Sequence, residues 1–251
     1  VACALLLSDV HLAPDLLRCS EGFKTLLREL PGDCSAVYVL GDLFEVWVGD
    51  DLHTPYLDSI YESFRSVRAR GIELVFCHGN RDFLLERGPA GVPGFAELAG
   101  GRMMAESEVV DLFGTPALLM HGDQLCTLDT AYLAFRQQSR SSEWQQMMLE
   151  KPLDQRLMVA EMWRMQSKMA NSNKPENIMD VTLEEVVRVM AEANVELLIH
   201  GHTHRPMRHA VELPGDMAGE RLVLGDWREE AGEAVIAWAS PEGIELVQYR
   251  F

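Results

Sequence analysis

Short apolar runs alternate along the chain with segments of helical period. Ala2–Leu7 is apolar throughout and short enough to be a buried strand. Phe23, Leu26, Leu27 and Leu30 fall on one helical stripe, with Ser20 as a candidate cap. Val37–Leu40 predicts a second strand. Ile60, Phe64 and Val67 line one face of a helix over Tyr56–Arg70 that Gly71 ends. Glu73–Cys77 predicts a third strand, and the Gly- and Pro-rich stretch Gly88–Gly101 a loop with a short helical turn. Val109–Leu112 and Ala117–Met120 predict strands joined through Phe113-Gly114-Thr115-Pro116. From Thr130 to Asn173 there is no glycine and only one proline, Pro152. The rhythm there gives way to a helical insertion over about 130–175, interrupted near Lys151-Pro152 and ended by Pro175. Thr182-Leu183-Glu184-Glu185 reads as a capping box. Val195–Ile199, Arg221–Leu224, Ala234–Ala239 and Ile244–Tyr249 predict the remaining strands. This alternation predicts an α/β fold, with residues 1–251 forming one domain around the insertion.

Five of these runs lead at once into side chains that bind metals: Asp9-Val10-His11, Gly41-Asp42, Gly79-Asn80, His121-Gly122-Asp123 and His200-Gly201-His202. Open α/β sheets bind ligands along one rim. If strand geometry persists through Asp9 and His11, both side chains point to one side and can hold one ion. Asp42 has two oxygens and can bridge two ions. Asn80 adds a neutral oxygen, and His121, His200 and His202 add imidazoles. Hard oxygens with imidazoles suit a pair of divalent ions. Two such ions bring four positive charges and the two carboxylates return two, so the site stays cationic and suits a phosphate ester. His78 and His204 are expected to orient these ligands or close the pocket, and His53 and His209 to be structural or surface residues.

Composition narrows the partners. The net charge of −17 disfavours a nucleic-acid partner, since duplex binding needs many Lys and Arg contacts to phosphate. Residues 130–175 carry seven basic side chains against four acidic ones, so the remainder carries −20. A basic segment on an acidic body can meet an anionic substrate; it can equally be a solvated helix face. No stretch approaches the roughly 20 apolar residues of a membrane span. Ala2–Leu7 lacks a basic flank and is interrupted by Asp9, unlike a signal peptide. The five scattered cysteines, without a CxxC pair, read as reduced thiols of a cytoplasmic protein.

Ser8-Asp9-Val10-His11, Gly41-Asp42, Gly79-Asn80-Arg81-Asp82, His121-Gly122-Asp123 and Gly201-His202-Thr203-His204 resemble, in order and separation, the motif series of the calcineurin-like metallophosphoesterases. Gly41-Asp-Leu-Phe-Glu-Val-Trp-Val-Gly-Asp-Asp51, His121-Gly-Asp-Gln-Leu-Cys126 and Ile178-Met-Asp-Val181 further resemble the UDP-2,3-diacylglucosamine pyrophosphatase family of lipid A biosynthesis. The resemblance implies a four-layer sandwich, two mixed sheets flanked by helices, with a helical lid. It implies a manganese pair and cleavage of UDP-2,3-diacylglucosamine at the α-phosphorus, giving UMP and 2,3-diacylglucosamine 1-phosphate. Carried over by motif, Asp9, His11, Asp42 and His202 hold one ion and Asp42, Asn80, His121 and His200 the other. Asp42, Asn80, Arg81 and His121 form the catalytic set. Substrate contacts fall on Asn80, Arg81, Asp129, Ser167, Asn171, Lys174 and His200, with Tyr132 and Arg164 as further candidates. The resemblance also implies peripheral contact with the cytoplasmic face of the inner membrane, and no protein partner is expected. A body at −20 is repelled by an anionic leaflet, which leaves the lid or an acyl groove as the means of attachment. Two alternatives share the residues: another dimetal phosphoesterase acting on soluble nucleotides, and a metal-free scaffold.

Arg81 stands where most of the wider superfamily has His. Arg cannot protonate a leaving alkoxide, but it can clamp phosphate oxygens bidentately. A leaving phosphate, with a second pKa of about 6, needs no general acid. In the insertion, Met158, Met162, Met165 and Met169 share one helical face, roughly opposite Arg164, Ser167, Asn171 and Lys174. The methionine face either packs on the rest of the insertion or offers an adaptable surface to acyl chains, extended by Met147, Met148, Trp144 and Trp163.

Overall fold

The computed structural model describes residues 2–171 and 178–251, without the side chains of Ser167, Lys168, Ala170 and Asn171. In chain order the elements are β1 (Cys3–Leu7), α1 (Leu17–Arg28), β2 (Cys34–Leu40), α2 (Pro55–Ala69), β3 (Glu73–Cys77), α3 (Phe95–Ala99), β4 (Arg102–Met103), β5 (Ser107–Leu112) and β6 (Thr115–Met120). Then come α4 (Thr130–Ser139), α5 (Ser142–Leu149), α6 (Leu153–Asn171), α7 (Leu183–Ala193), β7 (Leu197–His200), β8 (Met207–Leu213), β9 (Met217–Val223), β10 (Trp227–Arg228), β11 (Glu233–Ser240) and β12 (Gly243–Arg250).

Two mixed sheets face each other. One has the order β10-β11-β1-β2-β3-β4, with β12 also paired to β11; the other has the order β5-β6-β7-β9-β8. β1, β2 and β3 run parallel, as do β6, β7 and β9. The apolar runs are continuous because both faces of these central strands are buried. In β1, Leu5 and Leu7 turn toward α1 and α2, where Phe23, Phe64, Phe76 and Phe95 fill the space. Ala4 and Leu6 turn the other way, into the layer between the sheets with Tyr38, Val75, Leu119, Ile199 and Leu222. The second sheet buries its outer face, Leu118, Leu198 and Val211, under Val186 and Met190 of α7. The result is four layers, helix–sheet–sheet–helix.

Some local expectations fail for identifiable reasons. Ser20 lies inside α1 rather than capping it; its hydroxyl donates 2.8 Å to the Leu16 carbonyl. Thr182 is the residue before α7, but its hydroxyl is spent on the Leu125 carbonyl and Thr127, so no capping box forms. The insertion breaks twice. Besides the break before α6, it breaks at Arg140-Ser141, where Ser141 caps α5 through the Trp144 amide. All five cysteines are buried and free.

Candidate metal centre

The five rim segments meet at the carboxyl ends of β1, β2, β3, β6 and β7. The chain does not continue as strand there. Asp9, His11, Asp42, His202 and His204 all take left-handed backbone angles, φ between 50° and 65°. Such angles are costly for residues with a Cβ and persist where the surroundings over-determine them. Here the loops are laced together: the Asp9 amide donates to the Gly41 carbonyl (3.1 Å) and the His11 amide to the Asp42 carbonyl (3.0 Å). The Gly201 amide donates to the His121 carbonyl (2.9 Å). Asp9 and His11 therefore converge through tight turns rather than through strand alternation. Two glycines allow this closeness. A Cβ at Gly79 would strike the carboxylate and amide of Asp42, and one at Gly201 would strike Ser8 and Asp9.

Within the cluster, Asp42 Oδ2 lies 3.7 Å from His121 Nε2 and 4.0 Å from His11 Nε2. Asn80 Oδ1 lies 3.0 Å from His121 Nε2 and 2.8 Å from His202 Nδ1. Asp9 accepts from the His202 amide at 2.9 Å and from Ser8 Oγ at 2.6 Å, and His204 Nε2 is 3.2 Å from its other oxygen. The residues fit a metal on their own chemistry. Single ligand atoms from Asp9, Asp42 and His121 lie within 4.8 Å of one another, as do atoms from Asp9, His11 and His204. The buried Nε2 of His11 has no hydrogen-bond partner. His200 is placed differently. It is fully buried beside Gly122, its Nδ1 is 2.8 Å from the Gly201 carbonyl, and its Nε2 faces Arg221 Nη1 at 3.3 Å.

Electrostatics suit ligation. Burial, and then the charge of Arg221, push His200 down to about 3. Burial, and then neighbouring His121, push His202 down to about 4. Both rings are neutral at pH 7 and keep a lone pair. Burial works against ionising Asp9, but His204, His121 and His11 together outweigh it and hold the carboxyl well below the usual range. Burial also disfavours a charged His121, yet Asp42 and Asp9 raise its pKa.

Beside the cluster opens a cavity of about 590 Å³. His11, Asp42, Asn80, Arg81 and His202 line its polar end; Trp47, Phe83, Phe135, Met148 and Trp163 line an apolar end under α4–α6. Asp129 also lines it, at the start of α4, where its side chain accepts from the Tyr132 amide at 3.1 Å. Arg164 projects into the cavity from α6 and lies 3.7 Å from Glu45. Lys174 and the side chains of Ser167 and Asn171 lie outside the described residues. The four methionines of α6 do not line the cavity, and each is more than half exposed.

Several site residues were not singled out from sequence. Glu45 touches His11, Arg81 and Arg164. Asp82, fully buried, does not pair with Arg81; it gathers the amides of Leu43 (2.7 Å) and Gly79 (2.7 Å), so it ties two rim loops together. Asp123 is buried under α4, taking the Tyr132 hydroxyl and Arg136 Nε at 2.8 Å. The signal for each was its place inside a rim motif. His78 turns away from the cluster and bonds the Leu85 carbonyl at 2.8 Å.

Residues 4–206 match the family model described as calcineurin-like phosphoesterase. A UDP-2,3-diacylglucosamine hydrolase from Cellvibrio japonicus is 47% identical over 226 residues, 90% of this chain and 91% of that protein. One from Hahella chejuensis is 43% identical over 253 residues, 98% of this chain and 97% of that one. Among solved structures, a hypothetical protein from Pyrococcus horikoshii OT3 is similar with a TM-score of 0.51 at 12% identity, covering 100% of this chain and 89% of that one; this is a likeness of fold alone.

Proposed function

The chain belongs to the calcineurin-like phosphoesterases and, within them, to the UDP-2,3-diacylglucosamine hydrolase family, and from that premise we propose that it hydrolyses the pyrophosphate bond of UDP-2,3-diacylglucosamine in lipid A biosynthesis. The observation that carries this reading is the two-ended cavity. A cluster of carboxylates and imidazoles stands at one end and an aromatic chamber at the other, as a diphosphate joined to acylated sugar requires.

Asp9, His11, Asp42 and His202 would hold one divalent ion and Asp42, Asn80, His121 and His200 the other. Manganese is the metal we infer, and the pair, when bound, acidifies a shared water and neutralises charge on the phosphoryl group. His200 has both nitrogens turned to protein partners, so its part requires its ring to exchange the Gly201 carbonyl for the ion. Asn80 would likewise release the two imidazoles it now bridges. Water adds to the α-phosphorus and the bond to the bridging oxygen breaks, so UMP keeps the α-phosphate and 2,3-diacylglucosamine 1-phosphate leaves. Arg81, its amide held on Asp42 at 2.8 Å, would clamp the diphosphate oxygens without giving up a proton. Asp129, Tyr132, Arg164, Ser167, Asn171 and Lys174 would hold the uridine and sugar phosphate, and the aromatic chamber the acyl chains.

We also propose one domain with α4–α6 as its lid, working at the cytoplasmic face of the inner membrane. No described helix is long and apolar enough to cross a membrane. The exposed methionines of α6 are the apolar surface that would touch the bilayer. Hydrolysis in ¹⁸O-water tests the reaction. Label in UMP, with soluble nucleotides turned over poorly, is expected; label in the sugar phosphate, or faster cleavage of soluble nucleotides, would reject it.

A further inference from the structure

Glu45 has no role in the assignment above, yet both of its oxygens are committed. It leads out of the Asp42 loop and lines the cavity. Its backbone is fixed beside the cluster, because its amide donates to the Leu12 carbonyl at 3.1 Å while Leu12 donates to Leu43 at 2.8 Å. Oε2 lies 3.1 Å from Nδ1 of His11. Oε1 faces Arg81 Nη1 at 3.8 Å and Arg164 Nη1 at 3.7 Å. The arginine distances exceed the roughly 2.7–2.9 Å of a charge-assisted hydrogen bond. The two guanidinium groups therefore steady the carboxylate without claiming the oxygen that His11 uses.

His11 has two ring nitrogens and only one can face an ion. Nε2 points into the cluster, 4.0 Å from Asp42. Neither ring nitrogen makes an aligned hydrogen bond, but Glu45 Oε2 stands 3.1 Å from Nδ1, close enough to accept from it after a small turn of the ring. For it to offer a lone pair, the ring proton must sit on Nδ1, and an acceptor at Nδ1 holds it there. Glu45 supplies the carboxylate beside Nδ1, at 3.1 Å.

We propose that Glu45 is a positioning residue: it accepts the Nδ1 proton of His11, fixes the ring so that Nε2 meets the ion, and is itself held in place by Arg81 from the core and Arg164 from α6. This rests on the two-metal reading, and the experiment separates the two. Purified wild type, Glu45→Ala and Glu45→Gln are stripped of metal and titrated with Mn²⁺ by equilibrium dialysis, with the Mn²⁺-induced rise in Tm followed in parallel. Wild type should bind two ions. Glu45→Ala should lose about 10- to 100-fold in affinity at one of them, and its Tm without metal should stay near wild type. Glu45→Gln, whose amide oxygen still accepts from Nδ1, should recover most of that loss. Wild-type affinity in Glu45→Ala, or a loss that Gln does not restore at all, overturns the role of Glu45 and leaves the two-metal reading standing. A wild-type chain that takes up no Mn²⁺ overturns both.

Discussion

The floor and the roof of the cavity are built by different means. At the floor, Asp9, Asp42, Asp82 and Asn80 each hold two or more partners, and five residues sit in strained left-handed turns. The roof is three helices attached by a few charged clasps. Asp123 takes Tyr132 and Arg136, Arg140 reaches the Gly79 carbonyl at 2.9 Å, and Arg156 pairs with Asp51 while donating to the Val48 carbonyl at 2.7 Å. Between these clasps the roof packs with aromatic rings: Phe135, Trp144 and Trp163 lie 5.2–6.5 Å apart. A floor fixed at many points suits chemistry that tolerates little displacement. A roof of rings on a few anchors suits chains that vary in shape.

The contrast can be broken from either side, and the largest effect should come from the floor. Asp42→Asn should cut kcat by about a thousandfold or more, as loss of a transition-state charge contact does, while circular dichroism stays native; wild-type turnover would end the two-metal assignment. Arg81→Ala should lower kcat/KM by about a hundredfold with metal content intact, which metal analysis beside steady-state kinetics checks. Asp123→Ala attacks the roof. It leaves Arg136 and Arg140 without their buried counter-charge and should cost about 3–5 kcal/mol, read as a fall in Tm of roughly 10 °C. A Tm within one degree of wild type would show that the clasp does not hold α4.

A pH effect follows from Asp50, which accepts from Trp47 Nε1 at 2.9 Å and the Phe95 amide at 3.2 Å. Burial, outweighing those donors, pushes its pKa up from 3.8 to about 7. The folded chain therefore holds a proton that the unfolded chain releases near pH 4. The stability this contributes is complete below that point and is lost as pH rises through about 7. Urea unfolding at pH 5 and pH 8 should show a decline of roughly 2–4 kcal/mol from this group, absent in Asp50→Asn. The smallest effect belongs to the outer face of α6. Met158→Ser or Met162→Ser should change stability by less than about 0.5 kcal/mol, whereas sedimentation with anionic vesicles should weaken if this face meets the bilayer.

Much of the floor was legible because each apolar run is a buried strand and each run ends in its chemistry. Glu73–Cys77 is the strand the pattern predicts, residue for residue, and Asn80 follows it. The left-handed turns were not legible. Asp9-Val10-His11 carries no glycine, and its conformation is imposed by the Gly41–Leu43 carbonyls across the gap. Glu45 and Asp82 were hidden for a similar reason: a carboxylate within a motif does not reveal which loop it braces. The roof was read as helical, with the methionines roughly opposite Arg164, and Arg164 does line the cavity while the methionines are exposed. What the spacing did not show is which other residues face inward. Arg156, Ala160 and Trp163 turn into the cavity, a choice made by where Asp51 and Trp144 stand and not by the spacing within α6.

The central claim is that seven rim side chains converge on two ions. A crystal grown with manganese and measured at the manganese absorption edge tests it directly. The account predicts two anomalous peaks about 3.5–4 Å apart, with Asp42 between them, His11 at one and His121 at the other. A map with no peak at the rim, or a single peak that Asp42 does not touch, would contradict it.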